Sequence, residues 1–195
     1  TWEQIDPQIT KQPPVATASA GPNFRSLKGT TSKTRFLPSL KILSTSGPFT
    51  WEVRPSVGRK MNFRLTVRQN NPGGLNCNNF QDMQVTVVGL AGPFTVTSFD
   101  KTGVIWKEGS QQTITWNVAG TKAAPINAST VDIFLSKDKG LSFGTVLANN
   151  VPNDGSQVIT VPLGTATTGG RIMVRSHART FFNVTHHDIT CLLYT

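Results

Sequence analysis

The stretch that decides the fold is Gln112–Phe143, QTITWNVAGTKAAPINASTVDIFLSKDKGLSF. Its first part sets Ile114, Trp116 and Val118 on one side and Thr113, Thr115 and Asn117 on the other. A period of two is the mark of a strand with one buried face. The pattern returns with Val131, Ile133 and Leu135 expected inward, Asp132 and Ser136 outward, and Phe134 breaking the outward polarity. Between the two lies a loop rich in Gly, Pro, Asn and Ala, and after them comes Lys137-Asp138-Lys139-Gly140. There an Asp side chain can accept hydrogen bonds from N–H groups just ahead, and Gly tolerates the positive φ that closes a hairpin. The stretch reads as the centre of an antiparallel β-sandwich, and it carries no catalytic pattern.

Outward from this centre, short alternating runs are separated by turn residues. From Ala91 onward they are Phe94–Thr97, Val104–Trp106, Gln112–Val118, Thr130–Ser136, Gly144–Asn149, Ser156–Val161, Arg171–Ser176 and Asn183–Ile189. Turns at Glu108-Gly109, Asn153-Asp154-Gly155 and Gly169-Gly170 punctuate them, with Asp138, Gly140, Asp154 and Gly155 expected as structural turn residues. Such even spacing predicts an immunoglobulin-like sandwich. On the N-terminal side, Trp51 and Val53 alternate with Glu52 and Arg54, and Phe63, Leu65 and Val67 alternate with Arg64, Thr66 and Arg68. After a turn at Asn70–Gly74, Met83–Val88 predicts a further strand. A first core of Trp51, Phe63, Leu65, Val67, Val85 and Val87 follows. Thr1–Ile5 reads as a short strand, but Pro7, Pro13, Pro14, Pro22 and Pro38 argue against central strands before Trp51. Gly89-Leu90-Ala91-Gly92-Pro93 marks the boundary, giving domains 1–90 and 91–195 joined too closely for a flexible tether. The fold class is all-β, two tandem immunoglobulin-like antiparallel sandwiches.

Of the 195 residues, 37% are hydrophobic and the formal charge is +9. The charge is uneven: up to Leu90 eleven Lys and Arg face four acids, and from Ala91 onward eight face six. A basic first half can attract nucleic acid, acidic polysaccharide or anionic surfaces, or can simply keep the chain soluble. No helix–turn–helix, zinc-finger or RNA-binding pattern accompanies the charge, so nucleic acid is not the expected partner. No run of about 20 apolar residues encodes a membrane span. Cys77 and Cys191 are too few and too far apart to form a disulfide framework.

Chemistry-bearing residues are sparse. His177, His186 and His187 lack the spacing of His-Glu-x-x-His; His186 and His187 read as neighbours on one strand, facing opposite ways. There is no Gly-x-Ser-x-Gly and no paired carboxylates. Asp132, Asp138 and Asp154 are the oxygen ligands a calcium ion would take, but turn hydrogen bonding accounts for Asp138 and Asp154. No cofactor is therefore expected in this segment. Trp106 and Trp116, with Phe134, are of the type that stacks on sugar rings, but core is the better reading of Trp116, which shares a face with Ile114. Arg64 and Arg68, with Arg54, form a basic stripe, the best candidate for binding anything acidic. Asn127-Ala128-Ser129 and Asn183-Val184-Thr185 match the N-glycosylation acceptor pattern.

Ser136-Lys137-Asp138-Lys139-Gly140-Leu141-Ser142-Phe143 resembles a single Asp-box hairpin of sialidase-type propellers. A wider resemblance is carried by Ala91–Thr97, Thr113–Thr121, Val131–Phe143, Pro152–Ser156 and Arg171–Val174. Together they are similar to the immunoglobulin-like domain that follows the catalytic domain in secreted, reprolysin-like zinc metalloproteases of Bacteroidetes-type bacteria. Thr1–Gln4, Gly21–Ser26, Arg35–Pro38, Trp51–Val53 and Asn62–Arg68 resemble the accessory domain before it. The resemblance implies a non-catalytic appendage, a zinc-binding catalytic domain upstream of this segment, and a first domain lacking one or two opening strands. It implies an extracellular or cell-surface location and a protein or polysaccharide substrate to which the protease is held. The alternative is a free-standing adhesin or carbohydrate-binding module. Gln69-Asn70 stands where relatives tend to carry Asp-Asn, which weakens an inherited calcium site, and the tail from His186 to Tyr194 departs from the expected ending.

Overall fold

The computed structural model describes residues 1–45, 50–69, 73, 77–99 and 101–193; Asn70, most of the Asn70–Gly74 turn and Tyr194 fall outside them. Among the described residues there are twelve strands and one helix of four residues, so the chain is all-β and sandwich-like, as expected. It gathers into two compact units, Thr1–Ile42 with Gly47–Leu90, and Ala91–Thr195 with Leu43–Ser46.

The first unit carries strands β1 (Trp2–Gln4), β2 (Arg59–Arg68) and β3 (Asn78–Val87), with the single-turn helix α1 (Leu40–Leu43) between β1 and β2. The strands form one antiparallel sheet in the order β1-β2-β3. Met61 and Phe63 of β2 pack with Phe24 in the core, flanked by Trp2, Leu37, Val85 and Val87. Among the described residues the layer over them is irregular chain instead of a second sheet, and a buried polar network fixes it. Arg59 donates to Asn23 Oδ1 at 2.6 Å and to the carbonyls of Ala18, Ala20 and Gly21, and pairs with Asp6 at 3.7 Å. Glu52 pairs with Arg35 and accepts the Ser39 N–H at 2.6 Å. Hence the alternation read at Trp51–Arg54 fails at its first two residues: Glu52 is fully buried and Trp51 is 45% exposed, while Val53 is half-buried and Arg54 exposed. The reason is that Glu52 meets its cation from distant chain, and an ion pair with a backbone donor makes burial tolerable. Val67 also leaves the expected core, because β2 extends beyond the chain that covers its other apolar residues; it is 59% exposed.

The second unit is a two-sheet sandwich. Its strands are β4 (Thr95–Val96), β5 (Val104–Lys107), β6 (Gln111–Asn117), β7 (Thr130–Ser136), β8 (Thr145–Pro152), β9 (Ser156–Thr160), β10 (Thr167–Ser176), β11 (Phe182–Val184) and β12 (Ile189–Leu192). One sheet runs β4-β6-β9; the other runs β5-β12-β10-β7-β8, with β11 also on β10. Consecutive strands that change sheets in this way give the immunoglobulin-like order. All pairings are antiparallel except that of β5 with β12. Ile114 and Trp116 of β6 pack against Val131, Ile133 and Leu135 of β7, with Ile172, Val174, Ile189 and Cys191 completing the core. Each such aliphatic side chain contributes ~1.5–3 kcal/mol through burial.

Three expectations for this unit are corrected. Asp132 and Ser136 do not face water: both are buried, because charged and hydrogen-bonded partners cover the second face of β7. The run Asn183–Ile189 is two strands, since His186 and His187 form a bend between β11 and β12. Trp106 is 1% exposed and cannot join an aromatic platform, while Trp116, 4% exposed, lies in the core as expected. Cys191 lies in a core strand while Cys77 is exposed, and both thiols are free.

Candidate functional site

The outer face of the first unit's sheet is set by the pairing of β2 with β3, which runs unbroken from Arg59 opposite Val87 to Arg68 opposite Asn78. Because side chains alternate, Lys60, Arg64 and Arg68 of β2 share one face with Phe80, Asp82 and Gln84 of β3. Arg64 reaches across to Asp82 with two parallel bonds, Nε to Oδ1 at 2.7 Å and Nη2 to Oδ2 at 2.8 Å. Its guanidinium lies 4.1 Å from the centre of the Phe80 ring. The hydrogen bond to Asp82 raises the Arg64 pKa, and the same bond holds the Asp82 carboxyl below its ordinary value. Arg68 is exposed and donates to Thr1 Oγ1 at 3.2 Å. Arg54 is exposed but lies outside the strands.

The structure thus brings Arg64 and Arg68 to one face, adds Lys60 and Phe80, and leaves Arg54 off the sheet. Lys60 was within reach of the alternation that placed Arg64; Phe80 and Asp82 precede the run read as the last strand. The face is mixed and not a plain basic stripe. Phe80 stands on this face, 58% exposed, whereas Val67 and Met83, exposed by 59% and 45%, project from the opposite face of the hairpin. A cavity of about 240 Å³ in the same unit, lined in part by Trp2, Lys28, Arg35 and Phe36, falls below the ~300–1,000 Å³ of sites that enclose a drug-sized ligand.

In the second unit, Phe134 projects from β7 beneath Arg175, whose guanidinium is 4.6 Å from the ring centre. Arg175 donates to Asp132 at 3.2 Å, His177 Nδ1 lies 2.8 Å from the same carboxylate, and the Asn150 N–H donates to it at 3.0 Å. Burial alone would raise the Asp132 pKa, but these hydrogen bonds outweigh it and hold the carboxyl below its ordinary value. A carboxylate with three donors already in place is an architectural anion, and Phe134 has one ring face already occupied.

The hairpin after β7 is held by its own polar side chains. Ser136 Oγ accepts the N–H groups of Asp138 and Gly140 and donates to Asp138 Oδ1; Asp138 accepts both the N–H and hydroxyl of Ser142. Burial pulls the Asp138 pKa upward, but these bonds hold it below its ordinary value. Gly140 takes the left-handed conformation, φ 86°, that ends the turn. Asp154 accepts the Ser156 N–H at 3.4 Å beside Gly155, φ 105°. The residue sequence reading missed is Asn153, fully buried, whose side chain accepts from Trp116 Nε1 and donates to Thr121 Oγ1 and the Ala128 carbonyl. Among the described residues no three His, Cys, Asp or Glu side chains converge to hold a metal ion. Asp188 is bonded to Arg171 at 2.8 Å, and Cys191 is sealed in the core. No described helix is long and apolar enough to cross a membrane. Asn183 is buried with its amide oxygen on the Val96 N–H, so of the two glycosylation motifs only that at exposed Asn127 is accessible in the folded chain.

Fold and surface together define an all-β, sandwich-like chain whose buried carboxylates are held by hydrogen bonds and whose exposed hairpin presents apolar and basic groups. No protein-family model matches the chain, and no curated protein is similar to it at a meaningful level.

Proposed function

We propose that this chain is a non-catalytic accessory region of a secreted zinc metallopeptidase, holding the protease to a protein or polysaccharide substrate outside the cell or spacing it from the surface. The observation that carries the binding role is the β2–β3 hairpin, which exposes Phe80 on one face beside Lys60, Arg64 and Arg68. The tie to a peptidase rests on the motif resemblance running from Thr1-Trp2-Glu3 to Arg171–Val174. No cofactor is assigned to this segment; zinc would belong to the catalytic domain. The test is retention of the purified chain on insoluble proteins and on acidic and neutral polysaccharides across a salt series. Saturable retention at low salt, lost in an Arg64→Ala/Arg68→Ala double variant, supports targeting through this face. Absence of retention on every matrix at low salt would remove the binding role and leave a spacer. The alternative, a free-standing adhesin or carbohydrate-binding module, draws on the half-buried Phe134 ring. It would be favoured if Phe134→Ala alone abolished sugar binding.

A further inference from the structure

The outer edge of β3 carries this inference. β3 is ten residues long, follows β2 without a bulge, and has no described strand on its far side. Gln69 donates its N–H to the Cys77 carbonyl, so the odd-numbered residues of β3 face β2 with their backbone groups. β2's even-numbered groups turn the other way, as the Thr66 N–H to the Thr1 carbonyl and the Ile5 N–H to the Asn62 carbonyl show. By the same alternation the N–H and C=O groups of Asn78, Phe80, Asp82, Gln84 and Thr86 line the open edge. Two of these groups are covered only by adjacent side chains: Asn79 Oδ1 accepts the Phe80 N–H at 2.8 Å, and Gln81 Nε2 donates to the Asp82 carbonyl at 3.3 Å.

Natural sheets protect such edges with short strands, Lys, Pro, bulges or inward charges. β3 has none of these; its one charged residue is Asp82, held on the sheet face by Arg64. We propose that this edge pairs with the same edge of a second copy of the chain, antiparallel, about a two-fold axis through Met83. Edge-to-edge pairing must match even-numbered with even-numbered residues, which restricts the choice of register. Centred on Asp82, the pairing would set Asp82 against its twin, a like-charge contact that destabilises. Centred on Met83, it sets Asp82 opposite Gln84 and Phe80 opposite Thr86 on one face, and Met83 opposite Met83 on the other. Phe80 with Thr86 is an aromatic–β-branched pair, a favourable cross-strand combination. Gln84, whose amide donates to Asn62 within its own copy, also comes within reach of the partner's Asp82. The two copies would build a six-stranded sheet. Each copy carries a formal charge of +9, so association strengthens with added salt, opposite in sign to the capture of an acidic polymer.

Sedimentation of the full chain over a concentration series at two salt concentrations tests this. A monomer–dimer equilibrium that tightens with salt is expected; a monomer at every concentration overturns the proposal. Gln84→Glu should weaken the dimer roughly two- to thirtyfold and Gln84→Lys tighten it, because each places a charge opposite Asp82 twice. Equal effects of the two variants overturn the register. In a Cys77→Ser background, Met83→Cys should cross-link to itself on oxidation, since twin positions at a non-hydrogen-bonded pair lie about 4.5 Å apart. Gln81→Cys, opposite Val85, should not. Cross-linking of both variants alike, or of neither, overturns it, as does an edge that takes only an acidic peptide and releases it with salt.

Discussion

Replacing Asn153 with Ala tests whether one buried side chain organises the second unit. Asn153 is 0% exposed and makes three side-chain bonds: from Trp116 Nε1 at 2.8 Å, to Thr121 Oγ1 at 3.0 Å and to the Ala128 carbonyl at 2.9 Å. Thr121 keeps its own bond to the Val118 carbonyl at 2.7 Å, so its loss is small. The Trp116 indole N–H and the Ala128 carbonyl are stranded, at ~1–3 kcal/mol each. The expected loss is therefore ~2–6 kcal/mol, a large part of a ~5–15 kcal/mol domain. The assay is urea denaturation followed by amide hydrogen exchange in β6 and β7, which reports the second unit alone. Trp116→Phe removes the stranded donor, so the double variant should cost less than the sum of the two single changes by about 1–3 kcal/mol. A single-variant loss below ~1 kcal/mol, or strict additivity, would refute the reasoning.

Arg59→Met in the first unit leaves Asp6 and the carbonyls of Ala18, Ala20 and Gly21 without their cation, and should cost ~3–5 kcal/mol in chemical denaturation. The Asp132 carboxyl is depressed in the folded state, so it stabilises fully above its unfolded value of ~3.9 and loses that contribution as pH falls through the lower folded value. Asp132→Asn should accordingly lower stability at neutral pH and flatten the acid limb of the stability profile below about pH 4. Thiol labelling of the native chain should modify exposed Cys77 at once and reach buried Cys191 only on unfolding of the second unit.

The parts of the fold legible in the sequence are those governed by neighbours along a strand. The alternation at Ile114-Thr115-Trp116 and Val131-Asp132-Ile133 placed the core of the second unit, and β7 has the bounds the sequence indicated. Alternation failed where a partner lies far along the chain. Glu52 is buried by Arg35, Asp132 by Arg175 and His177, and none of these pairings leaves a periodic trace. The basic stripe was half legible for the same reason: Arg64 and Arg68 do share a face, but Asp82, which cancels one of them, comes from the opposite strand of the hairpin. The exposure of Val67 shows a further limit, because period two says which residues share a face and not how far along the strand that face stays covered.

The place of β12 has a consequence for how the second unit acquires its structure. This strand, late in the sequence, lies between β5 and β10, and its pairing joins Val104 to Ile189. The larger sheet therefore cannot be completed while β12 is still within the ribosome. Until then β5 has no neighbour, the seat of Cys191 and Ile189 in the core is empty, and the unit stays open to proteases and to pairing with other chains. Closure over so long a separation is intrinsically slow, because the loop must be ordered before its contacts repay the cost. Emergence of Ile189–Leu192 is thus a natural timing point, before which the larger sheet stays open and after which it can close.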